Sequence, residues 1–194
     1  LNMLGIALEL AGDNPAYEDV ATKFFEHFVY IGAAVNRGVE NGAGLWHETQ
    51  GFYFDLLKLP DGKARTIEAY TIAGLIPLFA IAVGERDAFR GFRGFRQRFD
   101  WFARNRPELL GKLADISHAG QHQRMRVALV DADKLGRILE HVLAPDQLLS
   151  AHGVRSVSRW HASAPFVLEL EGRRFTLDYE PAESTTPMFG GNSN

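Results

Sequence analysis

Apolar residues recur at three- to four-residue intervals from the first position onward. Leu1, Leu4, Leu8 and Ala11 mark one face of a helix. Gly12-Asp13-Asn14-Pro15 reads as a stop and restart: Gly12 closes the first helix, Asn14 caps the next, and Pro15 takes its first position. Val20, Phe24, Phe28, Ile31 and Val35 predict a buried stripe on a second helix over residues 16–35. Two helices joined this tightly form an αα-hairpin.

Residues 36–44 are polar and Gly-rich, which predicts a loop. Segments 52–59 and 63–68 flank Pro60-Asp61-Gly62 and read as a short β-hairpin. Residues 70–83 are apolar nearly all round, so a helix buried on several sides is expected, with Pro77 kinking it or marking its first turn. Pro107 opens a short helix to about Leu113, residues 114–123 are irregular, and residues 124–130 are extended. Asp131 or Asp133 caps a helix over 134–143 with Leu135, Ile138, Leu139 and Val142 inward, ended by Pro145. Residues 166–171 and 175–179, joined by the turn Gly172-Arg173-Arg174, form the clearest hairpin.

Arginines 86, 90, 93, 96, 98, 104 and 106 interleave with Phe89, Phe92, Phe95, Phe99, Trp101 and Phe102. Such interleaving is one signature of single-stranded nucleic-acid binding. Phe92, Phe95, Phe99 and Phe102, however, have helical spacing, and several arginines fall on another face. A core stripe beside a solvated arginine face accounts for the segment better. The net charge of −3 supplies no general attraction for nucleic acid or an anionic membrane, so neither is expected as a partner.

The 194 residues, 46% apolar and 23% charged, are ordinary for a globular protein. Without cysteine there is no disulfide, thiolate nucleophile or sulfur-ligated zinc. The longest apolar run, 72–83, is too short to span a bilayer. No basic, apolar and small-residue leader opens the chain, which makes a cytoplasmic location the expectation. The first residues are already helical without a start Met or N-cap, and the last stop in a loop, as in a single segment of a larger domain. Such a segment would expose apolar faces and self-associate.

The stretch from Gly44 to Asp55 concentrates aromatic rings, carboxylates and an imidazole. Trp46 beside Glu48 and Asp55 suits a sugar, whose C–H face stacks on a ring and whose hydroxyls donate to carboxylates. A buried turn, with Trp46, Phe52 and Phe54 in the core and the acids as caps, explains the same residues. His118 and His122 are four apart, but Gly120 lies between them and no Glu follows the first, so no metal is expected. Neither a Gly-rich phosphate loop nor a G-x-S-x-G elbow occurs. Glu180 and Glu183 and the polar run from Arg155 to His161 complete the candidate chemistry.

Taken in order, four motifs resemble glycoside hydrolase family 63, the family of processing α-glucosidase I and its bacterial relatives. Leu45-Trp46-His47-Glu48-Thr49-Gln50-Gly51-Phe52-Tyr53-Phe54-Asp55 is similar to its tryptophan–acid–glycine–aromatic–aspartate motif. Gly74-Leu75-Ile76-Pro77-Leu78-Phe79 is similar to its following buried helix, and Gly153-Val154-Arg155-Ser156-Val157-Ser158 to its Gly-Leu-Arg-Ser-Leu-Ser segment. Gly190-Gly191-Asn192-Ser193-Asn194 resembles the run leading into its Trp-Arg-Gly-Pro. His47 and Gln50 depart from the family, standing where relatives more often carry acids.

The resemblance implies a mainly α fold, part of an (α/α)6 toroid with short β-hairpins between helices. It implies inverting hydrolysis of an α-glucoside or α-mannoside without metal or organic cofactor. The general acid would precede Leu1 and the general base would follow Asn194, so no catalytic residue is assigned here. The implied substrate contacts are Trp46 as a stacking face, Glu48 and Asp55 as hydroxyl acceptors, Arg155 and Ser156 in the pocket wall, and Asn192 and Asn194 as positioning residues. A non-catalytic carbohydrate-binding or interaction module is the alternative.

Overall fold

A computed structural model describes residues 1–39, 44–85, 91–111 and 124–181. Among them, helices alternate with ten short strands that pair as five separate two-stranded antiparallel sheets. This mixed α and β architecture corrects the expectation of a mainly α chain forming part of an (α/α)6 toroid. The chain divides into two compact units, Leu1–Arg37 with Leu78–Ala132, and Gly38–Pro77 with Asp133–Asn194.

In the first unit, α1 (Asn2–Asp13) and α2 (Ala16–Val35) form the expected αα-hairpin. The Asn14 side chain accepts the Ala16 N–H at 3.1 Å, but Asn14 is the C-cap of α1, and Pro15 rather than Asn14 stands at the N-cap of α2. α1 runs one turn-half further than Gly12 suggested, to Asp13. The buried face of α2 shares only Phe28 with the predicted stripe: Ala21, Phe25, Phe28, Val29, Gly32 and Ala33 are covered, while Val20 and Ile31 are exposed. Small residues let neighbouring backbone approach, and that close packing decides which face turns inward.

α3 (Arg93–Asn105) carries Phe95, Phe99 and Phe102 of the predicted phenylalanine stripe, and Phe92 is its N-cap. Phe95, Phe99 and Phe102 surround the Phe25 ring at centroid distances of 5.4, 5.6 and 6.0 Å. The Glu18 carboxylate of α2 accepts the Phe95 N–H at 3.0 Å, placing a negative group at the α3 N-terminus. α4 (Pro107–Leu110) follows. β5 (Ile81–Glu85) pairs with β6 (Arg124–Ala128), and the buried Asn36 amide donates to the Leu129 carbonyl at 2.7 Å.

The second unit holds the other hairpins. β1 (Trp46–His47) pairs with β2 (Phe52–Tyr53), and β3 (Asp55–Lys58) with β4 (Ala64–Ile67). The hairpin expected over 52–68 is therefore shorter, because Phe52 and Tyr53 pair backwards instead. Residues 70–83 are not one helix: Ile72–Phe79 is a 3-10 segment, and Ile81–Glu85 is strand β5. A short apolar run does not distinguish helix from strand by itself. Pro77 removes one donor, and Gly74 lies directly against the Phe52 ring, which holds the segment in a tighter coil.

α5 (Ala132–Val142) buries Ile138 fully, whereas Leu135 and Leu139 stay about a third exposed. β7 (Leu149–Ser150) with β8 (Gly153–Val154) form a hairpin, and β9 (Phe166–Leu170) with β10 (Arg173–Leu177) another. The β9–β10 turn is Glu171-Gly172, with φ of 50° and 73°, the mirror-image geometry that suits strand twist.

Candidate functional site

The motif loop is held from within the second unit. Trp46 is buried, 2% exposed, and meets Tyr53 edge-on at 4.9 Å. Its indole N–H donates to Glu48 Oε2 at 2.7 Å. Arg137 Nη1 donates to Glu48 Oε1 at 3.2 Å, and Nη2 donates to the carbonyls of Glu48 and Thr49. Arg137 Cζ and Lys134 Nζ lie 5.4 and 5.2 Å from the Trp46 ring centre. In this arrangement Trp46 is a core side chain, and Glu48 ties it to α5.

The other implied contacts are scattered. Asp55 is exposed at the start of β3, where it pairs with Ile67. Arg155 is buried, and its Nη1 donates to the carbonyls of Pro145 and Gln147, both at 3.0 Å, and of Leu149. It thereby organises the loop before β7. Ser156 has an exposed side chain, and its carbonyl accepts the Ile72 N–H at 2.9 Å. Asn192 and Asn194 lie outside the described residues, as do Glu183, His118 and His122.

A cleft of about 540 Å³ lies in the same unit, lined by Gln50 of the motif loop and by Arg65, Glu68, Tyr70, Trp160 and His161 among others. Its floor is a hydrogen-bonded relay. The Tyr70 hydroxyl donates to Gln50 Oε1, and Gln50 Nε2 donates to Glu68 Oε2 at 3.1 Å. These two bonds assign the amide orientation. His47 Nδ1 accepts the Gln50 N–H at 3.3 Å, which leaves its hydrogen on Nε2, 3.9 Å from Glu68 Oε1.

Local pairing fixes the cleft's aromatic side. Tyr70 and Ile72 exchange bonds with Ser156 and Ser158: Ser158 N–H donates to Tyr70 O, and Ile72 N–H to Ser156 O, each at 2.9 Å. The Ser158 hydroxyl then accepts the Trp160 N–H at 3.3 Å and starts the 3-10 turn Arg159–Ala162. Within that turn His161 is buried and locked. Its Nε2 accepts the Tyr70 N–H at 3.0 Å, and its Nδ1–H donates to Ala164 O at 2.9 Å. The neighbouring Trp160 is 52% exposed.

On the protein side of the floor, His141 of α5 lies 5.0 Å from the Tyr70 ring. Its Nε2 is 2.8 Å from Gln50 O, and its Nδ1 is 2.5 Å from Gln147 Oε1. Burial pushes the Tyr70 phenol above its ordinary value of 10.0, and the Glu68 charge adds to the shift. Tyr70 therefore stays a neutral donor to Gln50 through the physiological range.

The cleft presents a fixed carboxylate, a fixed amide and an exposed indole. That set can accept hydroxyl hydrogens and cover an apolar ring face. Among the described residues no group of three or more His, Cys, Asp and Glu has a metal-holding arrangement. Also among them, no helix is long and apolar enough to cross a membrane. Sequence reasoning passed over Glu68 and Tyr70. A signal for Trp160 was present in Ser158-Arg159-Trp160, where a serine cap precedes an aromatic in a polar run.

No protein-family model matches the chain, and no solved structure matches it. The chain is similar to the uncharacterized protein YMR196W of Saccharomyces cerevisiae, with 39% identity over 206 aligned positions. The match covers all of this chain and 19% of the yeast protein, so the chain spans about a fifth of that relative's length.

Proposed function

We propose that this chain handles carbohydrate as part of an inverting glycoside hydrolase acting on α-glucosides or α-mannosides. The reading rests on one observation above others: an exposed Trp160 indole and a half-exposed, hydrogen-bonded Glu68 carboxylate line the same cleft. An apolar ring face edged by hydroxyls needs that pairing of groups. The order of the four motifs resembling glycoside hydrolase family 63 supports the same substrate class. By that resemblance the acid and base come from sequence outside this chain. Inversion needs them about 6.5–9.5 Å apart, with a water between.

The test is proton NMR of the protein as its host makes it, mixed with 4-nitrophenyl α-D-glucopyranoside or α-D-mannopyranoside. First appearance of the β-anomer of the free sugar is the expected result. Binding without turnover would replace this reading with a non-catalytic carbohydrate-binding module. Neither binding nor turnover with either glycoside would overturn it.

A further inference from the structure

We propose that the cleft is a pyranose subsite in which Trp160 covers one face of the ring and Glu68 accepts two neighbouring hydroxyls. The inference rests on the carbohydrate reading above and goes further, to the part of the sugar that is read.

Glu68 is the acceptor that the relay prepares. Gln50 occupies one lone-pair direction of Oε2, while a carboxylate offers about four such sites. Its side chain is 48% exposed and lies in the cleft lining. The orientation of Gln50 is set twice, by the Tyr70 hydroxyl on its oxygen and by His47 and His141 on its backbone N–H and C=O. Glu68 is thus held before a ligand arrives, which lowers the ordering cost of binding. With Gln50 on Oε2 and His47 3.9 Å from Oε1, each oxygen keeps lone-pair capacity for one hydroxyl, and two hydroxyls on adjacent ring carbons, each donating one hydrogen, match that pair.

Trp160 supplies the second element. Its indole is 52% exposed and lines the cleft, on a 3-10 turn whose backbone is fixed by the Ser158 cap and the His161 bonds. Stacking requires such an open ring face. The volume of about 540 Å³ falls within the range of small-ligand clefts.

The experiment is calorimetric titration of the whole protein with methyl α-D-glucopyranoside, methyl α-D-mannopyranoside and their singly deoxygenated analogues. Expected is a loss of about tenfold or more on removing either of two adjacent hydroxyls, because a site built for a hydroxyl rejects the analogue lacking it. In Glu68→Gln the parent glycoside should weaken about tenfold, and the difference between it and those two analogues should shrink. Trp160→Ala should weaken all the glycosides alike, while Trp160→Phe keeps part of the affinity. Unchanged circular dichroism and melting temperature certify each variant. Sugar binding that ignores both substitutions would overturn the subsite and leave the carbohydrate reading standing. Absence of binding by any glycoside to the unmodified protein would remove both.

Discussion

The Trp46 indole N–H donates to the Glu48 carboxylate at 2.7 Å, and Arg137 holds the other oxygen of the same carboxylate at 3.2 Å. A tryptophan and an acid two residues apart look like a sugar-binding pair in one dimension. In three dimensions they are a brace between the motif loop and α5. Glu48→Ala would leave a buried indole N–H without its acceptor. It should lower stability by about 1–3 kcal/mol, read as a shift in urea midpoint, while glycoside affinity stays within about twofold. A large affinity loss in a folded Glu48→Ala protein would return Glu48 to the binding site.

Gly74 meets the Phe52 ring and the Tyr53 backbone so closely that no side chain fits. A Cβ there would penetrate the ring and lie 2.5 Å from the Tyr53 carbonyl oxygen. The ring is fully buried among Phe54, Tyr70 and His141, so it has nowhere to move. Gly74→Ala should cost about 3 kcal/mol or more by overpacking. A melting temperature within a degree of the parent would contradict the close approach.

Glu26 carries a pH dependence of definite sign. Burial opposes its charge, but hydrogen bonds and attraction from Lys23 and Arg98, at 3.2 and 2.6 Å, outweigh burial and hold its carboxyl below the ordinary value of 4.5. A carboxyl lowered in the folded state stabilises above its unfolded pKa, and that stabilisation is lost as pH falls through the folded one. Glu26→Gln should therefore destabilise at pH 7, by about 1 kcal/mol given partial exposure of both partners. The difference from the parent should fade as pH falls below 4.5. Equal gaps at pH 7 and pH 3 would show that the charge is not responsible.

Tyr70 has the opposite sense. Its phenol is raised above 10.0 by burial and by Glu68, so the folded protein keeps the proton after the unfolded chain has released it. Its contribution is complete below about pH 10 and declines as pH rises further. Ultraviolet difference titration of the parent against Tyr70→Phe should assign Tyr70 to the most alkaline part of the tyrosinate rise. Glu68→Gln should move that part to lower pH. Titration of Tyr70 at or below pH 10 would break the link between the two residues.

Local chemistry was legible wherever a short segment could satisfy itself. The break between α1 and α2 at Asn14-Pro15, the α3 phenylalanine stripe and the Pro-Asp-Gly hairpin follow from side-chain periodicity or backbone preference, and neighbouring residues complete them; the last hairpin is also legible, though its turn falls at Glu171-Gly172 and not at Gly172-Arg173-Arg174. The sequence by itself also determined the charge balance, the lack of cysteine and the supply of aromatics and acids.

Tertiary structure alone decided which of these residues face inward. Residues 70–83 are apolar whether coiled or extended; Gly74 against Phe52 and the pairing of β5 with β6 separated the two halves. α2 could have turned either of two apolar faces inward, and close packing against Ala21, Gly32 and Ala33 chose one. Trp46 and Trp160 carry the same ring, yet α5 covers the first, while the second stands half exposed on a 3-10 turn at the cleft. Exposure is a property of neighbours far away in the chain, so a ring's chemistry is written in the sequence but its availability is set only by the fold.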